Sequence, residues 1–261
     1  VPQYLEGSVL TFNYNKYDEL EELVKKNDIG VIKMEVTRNE GPKDKFLEKV
    51  RTLATKNNIV LIFDECTSGF RQSLGGIHKI YGVEPDMAVF GKALGNGYAV
   101  TAIIGRREVM ENAQSTFISS TFWTERIGST AGLKTIEVME QEKSWETITK
   151  IGNEISSRWI ALGDKYKLPL VVSGIPAISS FGFNSPNNLL YKTLITQEML
   201  KNGFLASNLI FVCVRHSQDI IDQYFEILES IFKSIKECEE GRDISSLLNG
   251  PICHSGFKRL N

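Results

Sequence analysis

Residues 60–65 read VLIFDE, an almost wholly apolar segment that ends in two acidic residues. A short, continuous apolar run is typical of a strand that is buried on both faces of a parallel sheet. Residues 45–56, directly before it, show apolar side chains at helical spacing. A helix followed by a buried strand is the repeating unit of α/β proteins, so this stretch predicts an α/β fold.

The neighbouring segments repeat this pattern. Residues 17–26 have helical periodicity and lead into IGVIKMEV at 29–36, a β-branched run that predicts a strand. Downstream, GVEPDMAVFGKALGNG at 82–97 predicts a strand that ends near a glycine-flanked lysine. The segment AVTAIIG at 99–105 predicts a further strand before a helix that starts near Arg107. Strands that alternate with helices predict a mostly parallel sheet flanked by helices.

The pattern changes after a long helical segment. An amphipathic run begins at Ile127 and continues helically past residue 142, which predicts a connecting helix with a break or bend. Beyond it, strand-like segments and two helices, over 190–201 and 219–237, predict a compact α+β unit. We therefore predict a large domain over residues 1–142 and a smaller C-terminal domain over residues 143–261.

The composition excludes several classes of protein. Of the 261 residues, 42% are hydrophobic and 24% are charged, which is the makeup of a folded chain. The formal charge is −2 and no basic stripe is interleaved with aromatic residues, so neither nucleic acid nor an anionic membrane is expected as a partner. With no long apolar span and no visible export signal, we expect a cytoplasmic protein that binds a small molecule or another copy of itself.

The cysteines and histidines do not indicate a metal site. The three histidines lack a metal-ligand pattern, and the cysteines have none of the paired spacings of a zinc site or a redox motif. We therefore expect no metal, and reduced thiols at Cys66, Cys213, Cys238 and Cys253.

Three chemically versatile side chains, Asp64, Glu65 and Lys92, come at or just after the ends of predicted strands. Loops at the carboxyl ends of parallel strands meet in one crevice, so we expect these residues to lie close together. Glu65 is expected to be structural and to bind loop backbone. The other two residues are candidates for catalysis, and the residues alone leave two interpretations open.

In the first interpretation, Lys92 forms an imine with pyridoxal phosphate and Asp64 keeps the ring nitrogen of this cofactor protonated. A desolvated lysine beside the cationic ring would serve as a nucleophile and a base. In the second, VLIFDE is the Walker B strand of an ATPase, although no P-loop of the form GxxxxGK[ST] occurs in the 261 residues.

Longer motifs separate these interpretations. The segment FDECTSGFR at 63–71, followed by the lysine of FGKALGNG at 90–97, resembles the class III aminotransferases of fold type I. The resemblance extends through RNEGPKDKFL at 38–47, SSTFWTERIGSTAGLKTIEVM at 119–139 and NGPICHSGFKRLN at 249–261. Within the class, the chain is most similar to the glutamate-1-semialdehyde aminomutases and allied aminotransferases. The resemblance implies a pyridoxal-phosphate-dependent aminotransferase or aminomutase, with a non-catalytic fragment or subunit of such an enzyme as the alternative.

The resemblance also implies roles for individual residues. Asp64 is placed as the partner of the cofactor's ring nitrogen, and Lys92 as the Schiff-base lysine. Cys66 stands where the family commonly has a small β-branched or aliphatic residue packed against the cofactor ring, so the thiol is a departure that should still fit. Thr121 matches a threonine that donates to the cofactor phosphate of the neighbouring protomer, which implies a homodimer with active sites at its interface. Thr124 is a departure, because relatives often have glycine there.

One part of the family pattern has no match in the chain. A Ser/Gly-rich phosphate-binding turn and a ring-stacking aromatic residue would precede the helix and strand units described above. We expect a truncated polypeptide, with a large domain that is incomplete at its N-terminus, rather than a second chain that supplies this part or a degenerate protein. A degenerate enzyme would have no reason to keep Asp64, Lys92 and Thr121 together.

Overall fold

The structure is a computed structural model that describes residues 3–37, 39–119, 121 and 124–256. The chain divides between Trp145 and Glu146 into two compact units. A four-stranded sheet lies in the first unit and a three-stranded sheet in the second. The assignment of residues 143–261 as a separate small domain stays a prediction.

The first unit alternates helices and strands along the chain, as the sequence predicts. Its helices and strands are α1 (Tyr17–Lys26), β1 (Val31–Glu35), α2 (Phe46–Lys56), β2 (Val60–Asp64), α3 (His78–Tyr81), β3 (Met87–Phe90), β4 (Ala102–Gly105), α4 (Arg107–Met110) and α5 (Ile127–Glu142). Short 3-10 helices occur at Gln3–Leu5, Lys92–Leu94 and Glu111–Ser115.

The strands of this unit are hydrogen-bonded in the order β1-β2-β3-β4. Strands β1, β2 and β3 are parallel, whereas β4 runs antiparallel to β3. The connection over residues 91–101 is shorter than the dozen or more residues that a parallel crossover needs, so β4 returns beside β3 in the opposite direction. The predicted α/β class, a mostly parallel sheet flanked by helices, is confirmed.

The two faces of this sheet differ in burial. Side chains alternate between the faces along each strand, and the buried face carries Ile32, Met34, Leu61, Phe63, Ala88 and Phe90. Helix α2 packs on β2, and α1 packs on α2. The opposite face is partly exposed in the described chain, and it carries Asp64.

The predicted break in the long helix lies at Lys143. Helix α5 ends at Glu142, and α6 (Ser144–Tyr166) begins after this single residue. Lys143 has φ 48° and ψ 44°, a left-handed conformation that interrupts the helical hydrogen-bond pattern.

The second unit packs three helices with an antiparallel sheet. Strands β5 (Leu170–Ile175), β6 (Ile178–Phe183) and β7 (Leu209–Phe211) pair in chain order. Its helices are α6, α7 (Asn188–Lys201) and α8 (Gln218–Glu239), with a 3-10 helix at Ile244–Leu247. Helix α8 buries one apolar stripe at helical spacing, formed by Ile221, Tyr224, Phe225, Leu228, Ile231, Phe232 and Ile235.

Aromatic side chains form the centre of this second core. The Trp159 and Phe181 rings lie 4.8 Å apart between centroids. The Trp159 Nε1 donates a hydrogen bond of 3.1 Å to the Tyr224 hydroxyl, so the polar atom of a buried indole is satisfied. In the described part of the chain, no helix is long and apolar enough to span a membrane.

Close packing leaves no room for a side chain at Gly152 of α6. A Cβ atom at this position would lie 1.9 Å from the Pro176 carbonyl oxygen, which is backbone and has no rotamer to change. We expect Gly152→Ala to lower the free energy of unfolding by about 1–3 kcal/mol, because the added methyl group would overpack the core.

Gly132 of α5 is the matched control, because its Cβ would meet no atom closer than 3.7 Å. We expect Gly132→Ala to raise stability by up to ~1 kcal/mol through helix propensity. Urea unfolding followed by circular dichroism measures both variants. Equal effects of the two substitutions would contradict the packing at Pro176.

Candidate active site

Asp64 and Lys92 lie at the same edge of the sheet. Asp64 is the last residue of β2 and pairs with Val89 of β3 in the parallel register. Strand β3 ends one residue later at Phe90, and the chain enters a 3-10 helix at Lys92. Both residues therefore occupy the carboxyl edge of adjacent parallel strands, where α/β proteins bind their ligands.

Lys33 and Cys66 bind the Asp64 carboxylate. Lys33 Nζ of β1 lies 2.9 Å from Asp64 Oδ2, and the backbone N–H of Cys66 donates to Oδ1 at 3.1 Å. Partial burial raises the pKa of Asp64, but the bonds from Lys33 and Cys66 lower it more, so the pKa lies below its usual value. Asp64 is therefore held as an anion.

Lys92 is held by a hydroxyl group and has an unusual backbone. Its Nζ donates a hydrogen bond of 2.7 Å to Thr67 Oγ1. Its φ of 46° is left-handed, a conformation that costs energy in a residue other than glycine and that is often found at functional sites. The side chain is exposed in the described chain, so the desolvation that we expected from the sequence is not found there.

Cys66 lies near both of these groups. Burial raises the pKa of its thiol, and the nearby Asp64 carboxylate raises it further, whereas the Lys92 and Lys33 ammonium groups act in the opposite direction. A Cβ built on Gly91 would lie 3.5 Å from the Cys66 Sγ, so the thiol packs against the backbone that leads to Lys92. The structure thus brings together Asp64, Cys66 and Lys92.

Glu65 stabilises the loop that follows β2 through hydrogen bonds. Its side chain is 0% exposed, and Oε2 accepts hydrogen bonds from the backbone N–H of Ile77 at 2.7 Å and from the Ser68 hydroxyl at 3.0 Å. Oε1 accepts from the backbone N–H of His78 at 3.0 Å and lies 2.6 Å from the His78 Nδ1. The structural role predicted for Glu65, including its bonds to loop backbone, agrees with these contacts.

This network positions the residues between Glu65 and His78. Within the loop, the Arg71 Nε donates to the Thr67 carbonyl oxygen at 2.8 Å. The Thr67 hydroxyl, which binds Lys92, is therefore part of a segment that is fixed at several points. Because Glu65 directly follows Asp64, one buried carboxylate anchors the loop that presents the site.

Thr121 does not join this group of residues within the protomer. It lies in an exposed turn, and no hydrogen bond links it to Asp64, Cys66 or Lys92 within the described part of the chain. Thr124, the departure from the family pattern, lies in an exposed turn as well. The role of Thr121 toward a neighbouring protomer stays a prediction.

Parts of the family motifs lie outside the described residues. These parts are Arg38 of RNEGPKDKFL, the Ser120, Phe122 and Trp123 neighbours of Thr121, and residues 257–261 at the end of the last motif. The described site therefore rests on the segments around Asp64 and Lys92.

Sequence reasoning missed two residues of this site, Lys33 and Thr67. Lys33 is the single basic residue in the strand-like run IGVIKMEV, and its alternation places it on the Asp64 face of the sheet. Thr67 is one of several small polar residues after β2, and nothing in its local sequence points to Lys92. Only Lys33 could have been identified from the sequence pattern.

The Glu65 network yields a stability prediction. In Glu65→Gln one carboxylate oxygen becomes an NH2 group. In either orientation of the amide this NH2 would face a backbone N–H donor, that of Ile77 or that of His78. We therefore expect a loss of about 1–3 kcal/mol in the free energy of unfolding. Glu84→Gln is the control, because the Glu84 carboxylate is 67% exposed and lies 3.6 Å from the His78 Nε2. We expect little change from it in the same urea titration. Similar losses in both variants would show that Glu65 does not anchor the loop.

Comparison with known proteins identifies relatives along most of the chain. The family model of the class III aminotransferases matches residues 11–232. The 3-aminobutyryl-CoA aminotransferase of Cloacimonas acidaminovorans is 32% identical over 251 residues, which cover 91% of this chain and 61% of that protein. A glutamate-1-semialdehyde 2,1-aminomutase of Methanococcus maripaludis is 28% identical over 259 residues, which cover 90% of this chain and 60% of that protein. The chain therefore spans about 60% of the length of these curated relatives.

Solved structures show the same fold. The FumI protein of Sphingopyxis sp. MTA144 superposes with a TM-score of 0.83 at 20% identity, over 90% of this chain and 59% of that one. An omega-transaminase from Sphaerobacter thermophilus gives a TM-score of 0.81 at 18% identity, over 89% and 58% of the two chains. The findings favour the aminotransferase interpretation of VLIFDE over the ATPase interpretation. The chain belongs to the class III aminotransferase family.

Proposed function

We propose that the protein is a pyridoxal-phosphate-dependent enzyme that transfers an amino group, either between two molecules or within one molecule. One observation carries this proposal: the Asp64 carboxylate and the Lys92 amine stand at adjacent strand ends, and the Cys66 thiol lies near both of them. Family membership supports the same class of chemistry.

The chemistry of these side chains fits pyridoxal phosphate. The cofactor has an aldehyde for a primary amine and a ring nitrogen for a carboxylate, and the site offers one of each. The carboxylate is held as an anion by Lys33 and by the Cys66 N–H, as a protonated ring nitrogen requires. We assign Cys66 to the ring-packing position because it lies near both groups.

Each residue then has a defined task. When bound, the cofactor supplies an electron sink for the carbanion that forms at the substrate's α-carbon. Asp64 would hold the proton on the ring nitrogen. Lys92 would hold the aldehyde end of the cofactor through Nζ and would move the proton at the substrate's α-carbon. Thr67 accepts a hydrogen bond from Nζ and so restricts the directions in which the amine can point.

Two reactions suit the family. The two relatives named above are an aminotransferase and an aminomutase, and we propose one of these reactions for this chain. We propose small-molecule amino donors and acceptors as partners, and a cytoplasmic location. We also propose that residues 143–261 form the small domain that accompanies the cofactor-binding domain.

We further propose that the protein is a homodimer in which Thr121 reaches the site of the neighbouring protomer. The exposure of Thr121 in a turn is consistent with such a contact. A hydroxyl that donates to a phosphate oxygen forms a charge-assisted hydrogen bond.

Lys92 gives the direct test of the proposed function. We expect purified protein incubated with pyridoxal phosphate to show visible absorbance that borohydride bleaches, and mass spectrometry to locate the reduced adduct on Lys92. Lys92→Ala should abolish both signals, because Lys92 supplies the amine that bonds to the aldehyde. Lys79→Ala, a change at an exposed lysine of α3, is the matched control and should keep them.

Other outcomes of this test have distinct meanings. Unchanged absorbance in Lys92→Ala would refute the assignment of the lysine. Magnesium-dependent nucleotide hydrolysis without the absorbance would support the ATPase. A folded protein that stays colourless would indicate a fragment or subunit that does not bind the cofactor alone.

Thr121 gives a second test. We expect Thr121→Val to weaken cofactor binding about 10-fold, the effect of one lost hydrogen bond to a charged group, without changing the sedimentation of the dimer. Thr116→Val is the control, because the Thr116 hydroxyl donates to the Ala113 carbonyl oxygen within its own loop. A monomer in sedimentation, or equal affinity in both variants, would refute the shared site.

A further inference from the structure

The ion pair between Lys33 and Asp64 joins the site to strand β1. The Lys33 Nζ lies 2.9 Å from Asp64 Oδ2, and the two side chains are 59% and 25% exposed. A pair between charged groups that are this accessible adds little to stability. Its larger effect is therefore on the charge of Asp64 itself.

A second carboxylate stands beside Asp64 in the sheet. Glu35 pairs directly with Asp64 in the parallel register of β1 and β2, and Lys33 pairs with Ile62 two residues earlier. Side chains of paired residues point to the same face, so the two acids are neighbours there. Like charges at neighbouring positions repel each other, so a cation nearby lowers the electrostatic cost of the Asp64 charge.

Lys33 stands on this same face, because it is two residues before Glu35. Its ammonium reaches along the strands to Asp64 Oδ2, and the Glu35 carboxylate also acts on it. The Lys33 ammonium therefore interacts with both acids at the sheet edge.

We propose that Lys33 is a positioning residue of the active site, whose ammonium offsets Glu35 and keeps Asp64 ionised for the ring nitrogen of the cofactor. This inference rests on the proposed function, since it gives Asp64 the ring nitrogen as its ligand. Lys33 itself acts through Asp64 and has no part in the chemistry at Lys92.

The geometry of Asp64 leaves room for that ligand. Oδ1 accepts from the Cys66 N–H, Oδ2 accepts from Lys33, and the Cys66 thiol also hydrogen-bonds to the carboxylate. A carboxylate has about four lone-pair positions, so a further N–H can bind without displacing any of these donors. Lys33 and Cys66 act on Asp64, and Glu35 lies opposite in the register. Lys92 is near the Cys66 thiol, and its Nζ binds the Thr67 hydroxyl.

The first experiment needs no cofactor. The ¹³C resonance of the Asp64 carboxyl group is followed against pH in the wild type, Lys33→Met and Lys33→Arg. We expect the midpoint of the Asp64 titration to move to higher pH in Lys33→Met, and Lys33→Arg to keep it near the wild-type value. Lys25→Met is the control, because Lys25 is paired with Glu21 on α1. An unchanged midpoint in Lys33→Met would overturn the inference.

A double variant tests the part assigned to Glu35. If Lys33 acts by offsetting the opposing acid, Lys33→Met combined with Glu35→Gln should move the Asp64 midpoint back toward that of the wild type. A midpoint that stays as high as in Lys33→Met alone would refute this mechanism. Circular dichroism of each variant verifies that the fold is kept.

The second experiment measures cofactor affinity against pH. We expect Lys33→Met to bind pyridoxal phosphate about 10-fold more weakly than the wild type on the acid side. This difference in affinity should narrow as pH rises and Asp64 ionises in the variant. If the Asp64 titration midpoint moves in Lys33→Met but cofactor affinity keeps the same pH dependence as in the wild type, the positioning role is overturned. If the wild type binds no cofactor, the proposed function fails, whereas the carboxyl titration still decides whether Lys33 controls the charge of Asp64.

Discussion

Parallel pairing of β2 with β3 is what brings the two proposed catalytic side chains together. The backbone register sets Asp64 opposite Val89, and the chain beyond β3 then delivers Lys92 to the same edge. Residues 64 and 92 are distant in sequence, so no local hydrogen bond could hold them together. Burial of Phe63 and Phe90 on the opposite face stabilises this register, because a slip of one strand by one residue would turn its ring toward the exposed face.

A buried acid extends this ordering into the loop. Glu65 accepts backbone hydrogen bonds from Ile77 and His78, so both ends of the segment between β2 and α3 are tied to one carboxylate. Thr67 lies within this segment and contacts the Lys92 amine. The acidic pair at the end of β2 thus has two separate roles: Asp64 faces the candidate site, and Glu65 holds the loop that builds it.

Charge balance at the sheet edge is the other requirement. Asp64 and Glu35 occupy paired positions, and Lys33 supplies the cation beside them. The Cys66 thiol lies near both Asp64 and the Lys92 ammonium. The Asp64 carboxylate pairs with Lys33, while the Lys92 amine binds the Thr67 hydroxyl, so each group has its own partner. This separation suits residues that are proposed to contact opposite ends of one ligand.

Local patterns in the chain were enough to predict the α/β class, the alternation of helices and strands, and the candidate pair of Asp64 and Lys92, because hydrophobic periodicity and family motifs are read within short segments. Long-range packing was needed to fix the antiparallel direction of β4, the Lys33–Asp64 ion pair and the Thr67–Lys92 hydrogen bond. Each of these depends on strand register and on the reach of side chains between segments that are far apart in the chain. Periodicity within one segment carries no information about such distances.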